Sequence, residues 1–342
     1  MIQMKLLTPS DASRWDETVA RFANGTIFHT MAWLETIARL RRAKVFPFGI
    51  FEGSELVGVF PLLRLRRGPL TVLASPLGAV GYGGPLVSRA HYPAVLALLD
   101  AQLLPATNAD YVELRSLEPF PPSLLAGRHY TVETLQTCVV PLSPQTQTMW
   151  RRLKGACRTA VRQAWKNGVK IIEAQDGRFA AAYHRMSADT YGKANRPPPL
   201  SANDYRLVWE MLHPHNRIKV FLAEFEERIV AGGIFLHFNG KVYFWDGAAF
   251  RAYYHTRANN LLHWTVMEWA AECGMTEYDM LGANLPGIAK FKQSFGGELR
   301  SYTYAYKDAT WLAGVGRRAY LWVMPRLRRM QVRLAAAKPA LW

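Results

Sequence analysis

The sequence predicts a duplicated α/β fold, and three echoes between its halves carry that prediction. Residues 47–63 (PFGIFEGSELVGVFPLL) read as strand, acidic turn at Glu52-Gly53, and strand, and residues 219–238 (KVFLAEFEERIVAGGIFLHF) repeat the order. Leu56-Val57-Gly58 after the first turn corresponds to Ile229-Val230-Ala231 after the second. A helical stretch from His91 to Leu104 leads into the strand-like residues 109–116, just as residues 257–273 lead into residues 276–283. The offset is about 170 residues, and three echoes in register favour duplication over a chance match.

Bulk composition narrows the class. At 342 residues, half of them hydrophobic, the chain can bury a large core and is long enough for two domains. Cys138, Cys157 and Cys273 are odd in number and widely scattered, against both a disulfide framework and a paired-cysteine metal site. A reducing compartment is the simplest reading. No apolar run has the length of a signal sequence or a membrane span, so the expectation is a cytoplasmic protein. The formal charge of +16 calls for a polyanionic partner such as tRNA, a nucleotide diphosphate or an anionic membrane, with an arginine-rich composition as the plain alternative.

The most informative segment is residues 277–302, EYDMLGANLPGIAKFKQSFGGELRSY. It reads as a strand ending near Asp279, a Gly/Pro-rich turn, the start of a short helix bearing Phe291 and Lys292, and the double glycine Gly296-Gly297. Leu299, Tyr302, Tyr304 and Tyr306 then continue as a strand. Chemistry is often carried on such strand-end loops. The pattern of Asp279, Gly282, Gly287, Ile288, Phe291, Lys292, Phe295, Gly296 and Gly297 resembles the C-terminal signature of the FemABX peptidyltransferases and their acetyltransferase-like relatives. This resemblance implies two tandem GNAT-like domains, each a mixed, mainly antiparallel sheet flanked by helices, at 1–143 and 144–310. Nothing in the sequence supplies the heptads of the long coiled-coil arm that some members insert in the second domain.

The second domain opens on MWRRLKGACRTAVRQAWKNGVKI, read as one helix stopped at Gly168. Lys154, Arg158, Arg162 and Lys166 follow at four-residue steps and form one ridge. No acid falls between Arg151 and Lys170, so the ridge faces solvent or an anion, and the uncompensated run favours phosphate. The family has a basic helix here that Arg158, Arg162, Ala164, Gly168 and Val169 resemble.

A CoA-dependent GNAT enzyme would present a glycine-rich loop and helix start to the donor pyrophosphate. Arg257, Ala258, Asn259 and Asn260 occupy that place in the second half without close glycines, although Arg257 remains a candidate donor contact. The glycine-rich residues 78–91 of the first half are interrupted by Pro85 and a strand-like Leu-Val. The absence favours aminoacyl-tRNA over acyl-CoA as donor. Phosphate-loop, dinucleotide, nucleophile-elbow and HExxH motifs are missing. His213 and His215 lack a third ligand, so neither a metal nor a bound cofactor is expected.

The implied reaction is attack of an amine on an activated ester, which needs a free amine, a stabilised oxyanion and positioned reactants. Lys292 is expected to stabilise anionic charge, with Phe291 beside the same channel, and the alternative is a lysine snorkelling from a short helix. Asp279, on the strand before the Gly/Pro-rich turn, and Asp246, just after a strand read over Lys241–Trp245, are the carboxylates best placed to orient or deprotonate the amine, unless they cap turns, pair with arginines, or the substrate moves its own proton. Tyr191 and Arg196, read as part of a Pro-rich loop, are candidates for lining the acceptor channel, with a rigid connector as the plain alternative. The tail, 311–342, mixes arginines with Tyr320, Trp322 and Leu327 and no acid, as an interfacial helix or RNA-contacting arm would.

The function expected is transfer of an amino acid from aminoacyl-tRNA to an amine of a peptidoglycan-type or related envelope precursor, an anionic nucleotide- or lipid-linked acceptor met at the cytoplasmic membrane face. The alternatives are an acyl-CoA-dependent N-acyltransferase of exopolysaccharide or envelope biosynthesis, and a non-catalytic RNA- or membrane-binding scaffold.

Overall fold

The computed structural model describes residues 1–8, 11–77, 81–192, 196–319 and 323. Among the described residues twelve strands form one sheet. They are β1 (Ile2–Leu6), β2 (Lys44–Glu52), β3 (Glu55–Arg67), β4 (Leu70–Ser75), β5 (Tyr111–Ser116), β6 (Thr131–Pro141), β7 (Lys170–Glu173), β8 (Ile218–Phe225), β9 (Arg228–Phe238), β10 (Lys241–Ala249), β11 (Glu277–Asp279) and β12 (Glu298–Asp308). Their order is β1-β2-β3-β4-β5-β12-β6-β11-β10-β9-β8-β7. Among the described residues two neighbouring pairs run parallel, β4 with β5 and β10 with β11, at equivalent places in the two halves. The helix Ala258–Glu272 crosses from β10 to β11, and a helical stretch from Tyr92 to Ala106 crosses from β4 to β5, as parallel pairing requires. Hairpin, helix and strand therefore recur as the sequence echoes imply.

The halves also exchange strands. β12 pairs with β5 and with β6, and β6 pairs in turn with β11, so each half's sheet is completed by a strand from the other half. The expected division at 143/144 falls just after β6.

Helices cover both faces, which is why β3 buries an unbroken run from Gly58 to Leu63 and β9 one from Val230 to Phe238 instead of alternating. On one face a single core joins the halves: helices Ala12–Arg21 and Met31–Arg41 meet helices Phe179–Gly192 and Ala202–Leu212 around Trp15, Phe28, Trp33, Tyr183, Tyr205 and Tyr243. Phe28 meets Tyr243 edge to face at 5.3 Å, and Trp33 meets Trp245 at 5.7 Å. Local signals fix the ends of these helices. Ser201 and Asp204 form a reciprocal capping box, and the Thr30 hydroxyl accepts from the Trp33 amide. On the other face, helices Gly155–Lys166 and Ala258–Glu272 cover the second half.

Several local expectations change. The basic segment is two helices, Thr146–Arg152 and Gly155–Lys166, because Leu153 turns extended and the Lys154 amide bonds the Ser294 carbonyl at 2.8 Å. Tyr191 belongs to the helix Phe179–Gly192 and not to a loop, since the Pro-rich run begins only at Pro197. Asp246 lies inside β10, which runs on through a bulge between Phe244 and Asp246. Residues 311–319 of the tail are helical, and apart from residue 323 the remainder lies outside the described residues. Among the described residues no helix is long and apolar enough to cross a membrane.

Candidate functional site

The parallel pairs mark where the sheet can open. Pairing of β4 with β5 stops at Ser75 and Leu114, but the chain returns to fill the gap. Gly83 bridges Ser116, its amide bonds the Arg115 carbonyl at 2.6 Å, and the Gly84 amide bonds Ser75 Oγ at 2.8 Å. A Cβ on Gly83 would lie 2.3 Å from the Ser75 carbonyl carbon, so only glycine fits. The glycine-rich segment of the first half is thus a plug.

In the second half the gap stays open among the described residues. Pairing of β10 with β11 ends at Tyr243 and Asp279, and the chain then turns away through Leu281 at φ 53°. Met280 and Ala283 bond the β6 carbonyls of Cys138 and Gln136 at 2.8 and 2.7 Å, while β10 continues to Ala249. A cavity of about 230 Å³ opens there, lined by Val230, Ala249, Tyr254, Arg257, Asn260 and Phe291 among others. It joins two of the expected substrate contacts, Arg257 and Phe291, at the start of the helix Ala258–Glu272, whose N-terminal end favours negative charge. A larger cavity of about 450 Å³ lies elsewhere, between β4, β5, β12 and residues 312–317, and touches none of these groups.

Lys292 sits at the base of this opening. The helix Pro286–Gln293 carries it, started by Pro286 and followed by Gly296 at φ 82°, where a Cβ would come within 2.9 Å of Arg152. The side chain is 7 % exposed, and Nζ donates to the carbonyls of Met280, Leu281 and Gly282 at 2.6, 2.7 and 2.8 Å. All three ammonium protons are so engaged. Burial pushes its pKa down to about 8, with Asp279 and Cys138 opposing, so the group is a buried cation at neutral pH. The Phe244 ring lies 6.0 Å from Nζ.

Asp279, 4 % exposed, receives donors on both oxygens: Tyr82 OH at 2.7 Å on Oδ2, and the Leu281 amide at 2.8 Å together with the Thr137 hydroxyl on Oδ1. Burial raises its pKa against those donors and against the nearby Lys292 charge. The arrangement locks the turn that presents the three carbonyls to Lys292.

Asp246 belongs to a separate cluster. Tyr205 OH donates to its Oδ2 at 2.9 Å and lies 3.1 Å from Ser187 Oγ, with Tyr183 close by. The residue keeps some exposure, yet its carboxyl is enclosed, and that desolvation pushes its pKa up to about 6 in spite of the tyrosine hydroxyls. Tyr191 is raised by its own burial and by the Asp246 charge, with Arg196 opposing. Asp246, Tyr191 and Arg196 are therefore neighbours, as are Lys292 and Asp279, and the two groups sit on opposite sides of the parting of β10 from β11.

Lys154, just before the helix Gly155–Lys166, and Arg162 and Lys166 on it are exposed, and none forms an ion pair among the described residues. Arg158 is partly buried and donates to the carbonyls of Leu153 and, at 3.2 Å, Arg151, tying the two helices together. The His263 ring, absent from the expected site, lies beneath it: Nδ1 meets Tyr278 OH at 2.7 Å among Phe244, Phe291 and Phe295. Burial pushes its pKa down to about 3, so it is neutral. Neither His263 nor Tyr82 has a local sequence signal, since their partners lie on other elements. Among the described residues no three His, Cys, Asp or Glu side chains gather as a metal site.

Residues 151–293 match the family of GNAT acetyltransferase domains, so the second half carries a transferase domain. No curated protein matches the chain. Among solved structures, FemX is 15 % identical, with a TM-score of 0.72 over 88 % of this chain and 96 % of its own. A tandem GNAT protein from the clavulanic acid biosynthesis pathway is 10 % identical, with a TM-score of 0.60 over 91 % and 99 %. The C-terminal domain of a putative lysylphosphatidylglycerol synthetase from Agrobacterium fabrum is 13 % identical, with a TM-score of 0.56 over 90 % and 95 %. The chain has the tandem GNAT fold these structures share.

Proposed function

We propose that the protein is a FemABX-like aminoacyltransferase, which moves an amino acid from the ester of an aminoacyl-tRNA to an amine of a peptidoglycan-type or related envelope precursor. The observation that carries the reading is the buried Lys292 ammonium at the single opening of the sheet among the described residues, with Phe291 on the wall of the adjoining cavity. Attack of the amine on the ester carbonyl forms the C–N bond, breaks the C–O bond and places negative charge on the carbonyl oxygen, then on the departing ribose oxygen. A fixed cation in a water-poor site stabilises that charge without reorganising. Because Lys292 already serves three carbonyls, it acts through its field, or by exchanging one carbonyl for the oxyanion.

Asp246 is assigned to orient and deprotonate the acceptor amine, with Tyr191 and Arg196 beside it. Asp279 takes a positioning role. Lys154, Arg162, Lys166 and Arg257 receive donor phosphates, and Arg158 shapes the ridge. Contact of residues 311–342 with the membrane face belongs to the same proposal, and liposome flotation with and without residues 313–342 tests it.

One observation favours a second reading. The cavity at the start of the helix Ala258–Glu272 is also where a coenzyme pyrophosphate would bind, which keeps an acyl-CoA-dependent N-acyltransferase in play. Titration with charged tRNA, uncharged tRNA and acetyl-CoA at two salt concentrations separates the two. Salt-sensitive tRNA binding with amide product from a charged tRNA supports the first; saturable acetyl-CoA binding without tRNA preference replaces it with the second.

A further inference from the structure

Beside its cationic ridge the helix Gly155–Lys166 carries an aromatic feature that the reaction above does not use. Trp165 keeps 49 % of its surface exposed. Its indole lies nearly parallel to that of Trp150, with centroids 5.8 Å apart and planes 19° from parallel. Trp150 is held edge-on against the buried Trp264 at 4.9 Å, and the Arg162 guanidinium sits 5.4 Å from the Trp150 ring centre. The pair is therefore a rigid, anchored platform with one apolar face open to water, a surface that a second flat group would cover favourably.

Along its own segment the charge is of one sign, and the acid Glu268 on the helix beneath is turned to the anchoring Trp264. Lys166 follows Trp165 directly, Arg162 lies one turn back, and no acid occurs between Arg151 and Lys170. From Lys154 to Lys166 the ridge covers about 18 Å at 1.5 Å per residue, the length of a strand's backbone more than of one diphosphate. Aromatic faces set in a basic track are how proteins hold unpaired nucleic acid without reading its sequence.

We propose that Trp165, seated on Trp150, is a stacking platform for an unpaired base of an RNA strand whose neighbouring phosphates lie along Arg162, Lys166 and Lys154. The inference rests on the aminoacyl-tRNA reading for its partner. It adds a distance: Asn260, at the cavity, lies 3.8 Å from Cys157 Sγ, and Trp165 stands eight residues further along the helix, about 12 Å away. The stacked base is thus an interior nucleotide of the unpaired end and not the one that carries the reacting ester.

The test uses the full chain and a fluorescein-labelled RNA microhelix with a four-nucleotide unpaired 3′ end, alongside the same duplex made blunt, and CoA. Trp165→Ala is expected to weaken microhelix binding about tenfold while leaving blunt-duplex and CoA binding unchanged, and Trp165→Phe to recover most of the loss. Equal melting temperatures of the three proteins certify the fold. Tight microhelix binding indifferent to both variants overturns the platform and leaves the aminoacyl-transfer reading standing. A loss confined to CoA reassigns the platform to a coenzyme adenosine and overturns it for RNA. No microhelix binding by the unaltered protein removes the aminoacyl-transfer reading and the platform with it.

Discussion

The Tyr82 hydroxyl donates to Oδ2 of Asp279 at 2.7 Å, across 197 residues of chain. Tyr82 belongs to the segment that plugs the opening of the first half, and Asp279 ends the strand at which the second half opens. The closed opening thereby buttresses the open one. Thr137 on β6 and the Leu281 amide complete the carboxylate's donors, so the turn 280–282 is fixed from three directions before it receives the Lys292 ammonium.

Tyr82→Phe should therefore cost stability and activity together. It leaves a buried carboxylate one donor short, at about 1–3 kcal/mol. Urea unfolding should show a lower midpoint with an unchanged slope, as expected when the native state alone is weakened. A loss under about 0.5 kcal/mol, less than a typical intramolecular hydrogen bond contributes, would mean that the hydroxyl is not holding Asp279.

Lys292→Met removes a fixed charge from the opening and leaves three carbonyls without their donor. The single-turnover transfer rate should fall by about 10²–10³, the usual cost of losing one preorganised electrostatic group. Lys292→Arg should recover little, because a planar guanidinium does not match three carbonyls converging on one nitrogen. A folded Lys292→Met protein transferring at the unaltered rate would reduce the lysine to a structural anchor.

Much of this architecture was legible in local pattern. The alternation at Leu299, Tyr302, Tyr304 and Tyr306 gave β12, and the FK-bearing turn gave the short helix that carries Lys292. What could not be read is long-range. β12 pairs with β5 and β6, and Tyr82 reaches Asp279, through contacts that no spacing within a segment encodes. The helix broken at Leu153 was hidden because its cause, the Lys154 amide bonding the Ser294 carbonyl, lies at the far end of the chain. Asp246 looked like a strand-end residue, and only the bulge that keeps β10 running past it shows otherwise.

The pH profile follows from two opposite shifts. With Asp246 acting ionised and Lys292 acting as the cation, transfer should rise through about pH 6 and fall through about pH 8. Asp246→Asn should abolish the acid limb on a lower plateau, and an acid limb that survives it would assign the base elsewhere. Stability moves the other way. Asp246 binds its proton more tightly folded than at its ordinary 3.8, so its contribution declines as pH rises from about 4 to 6. Lys292 releases its proton more readily folded than at 10.5, so its contribution grows between about pH 8 and 10.5.

Three of the ridge cations should separate by salt dependence. Lys154 and Lys166 are exposed and without ion pairs among the described residues, so Lys154→Ala/Lys166→Ala should weaken charged-tRNA binding and reduce the slope of log affinity against log salt by about one per side chain. Arg158→Ala should behave differently, since its guanidinium is spent on the carbonyls of Arg151 and Leu153. Its loss should loosen the joint between the helices Thr146–Arg152 and Gly155–Lys166, lowering the melting temperature while nearly preserving the salt slope. Equal slope changes for all three substitutions would mean that Arg158 leaves its carbonyls to reach phosphate, and that the joint is remade when the RNA binds.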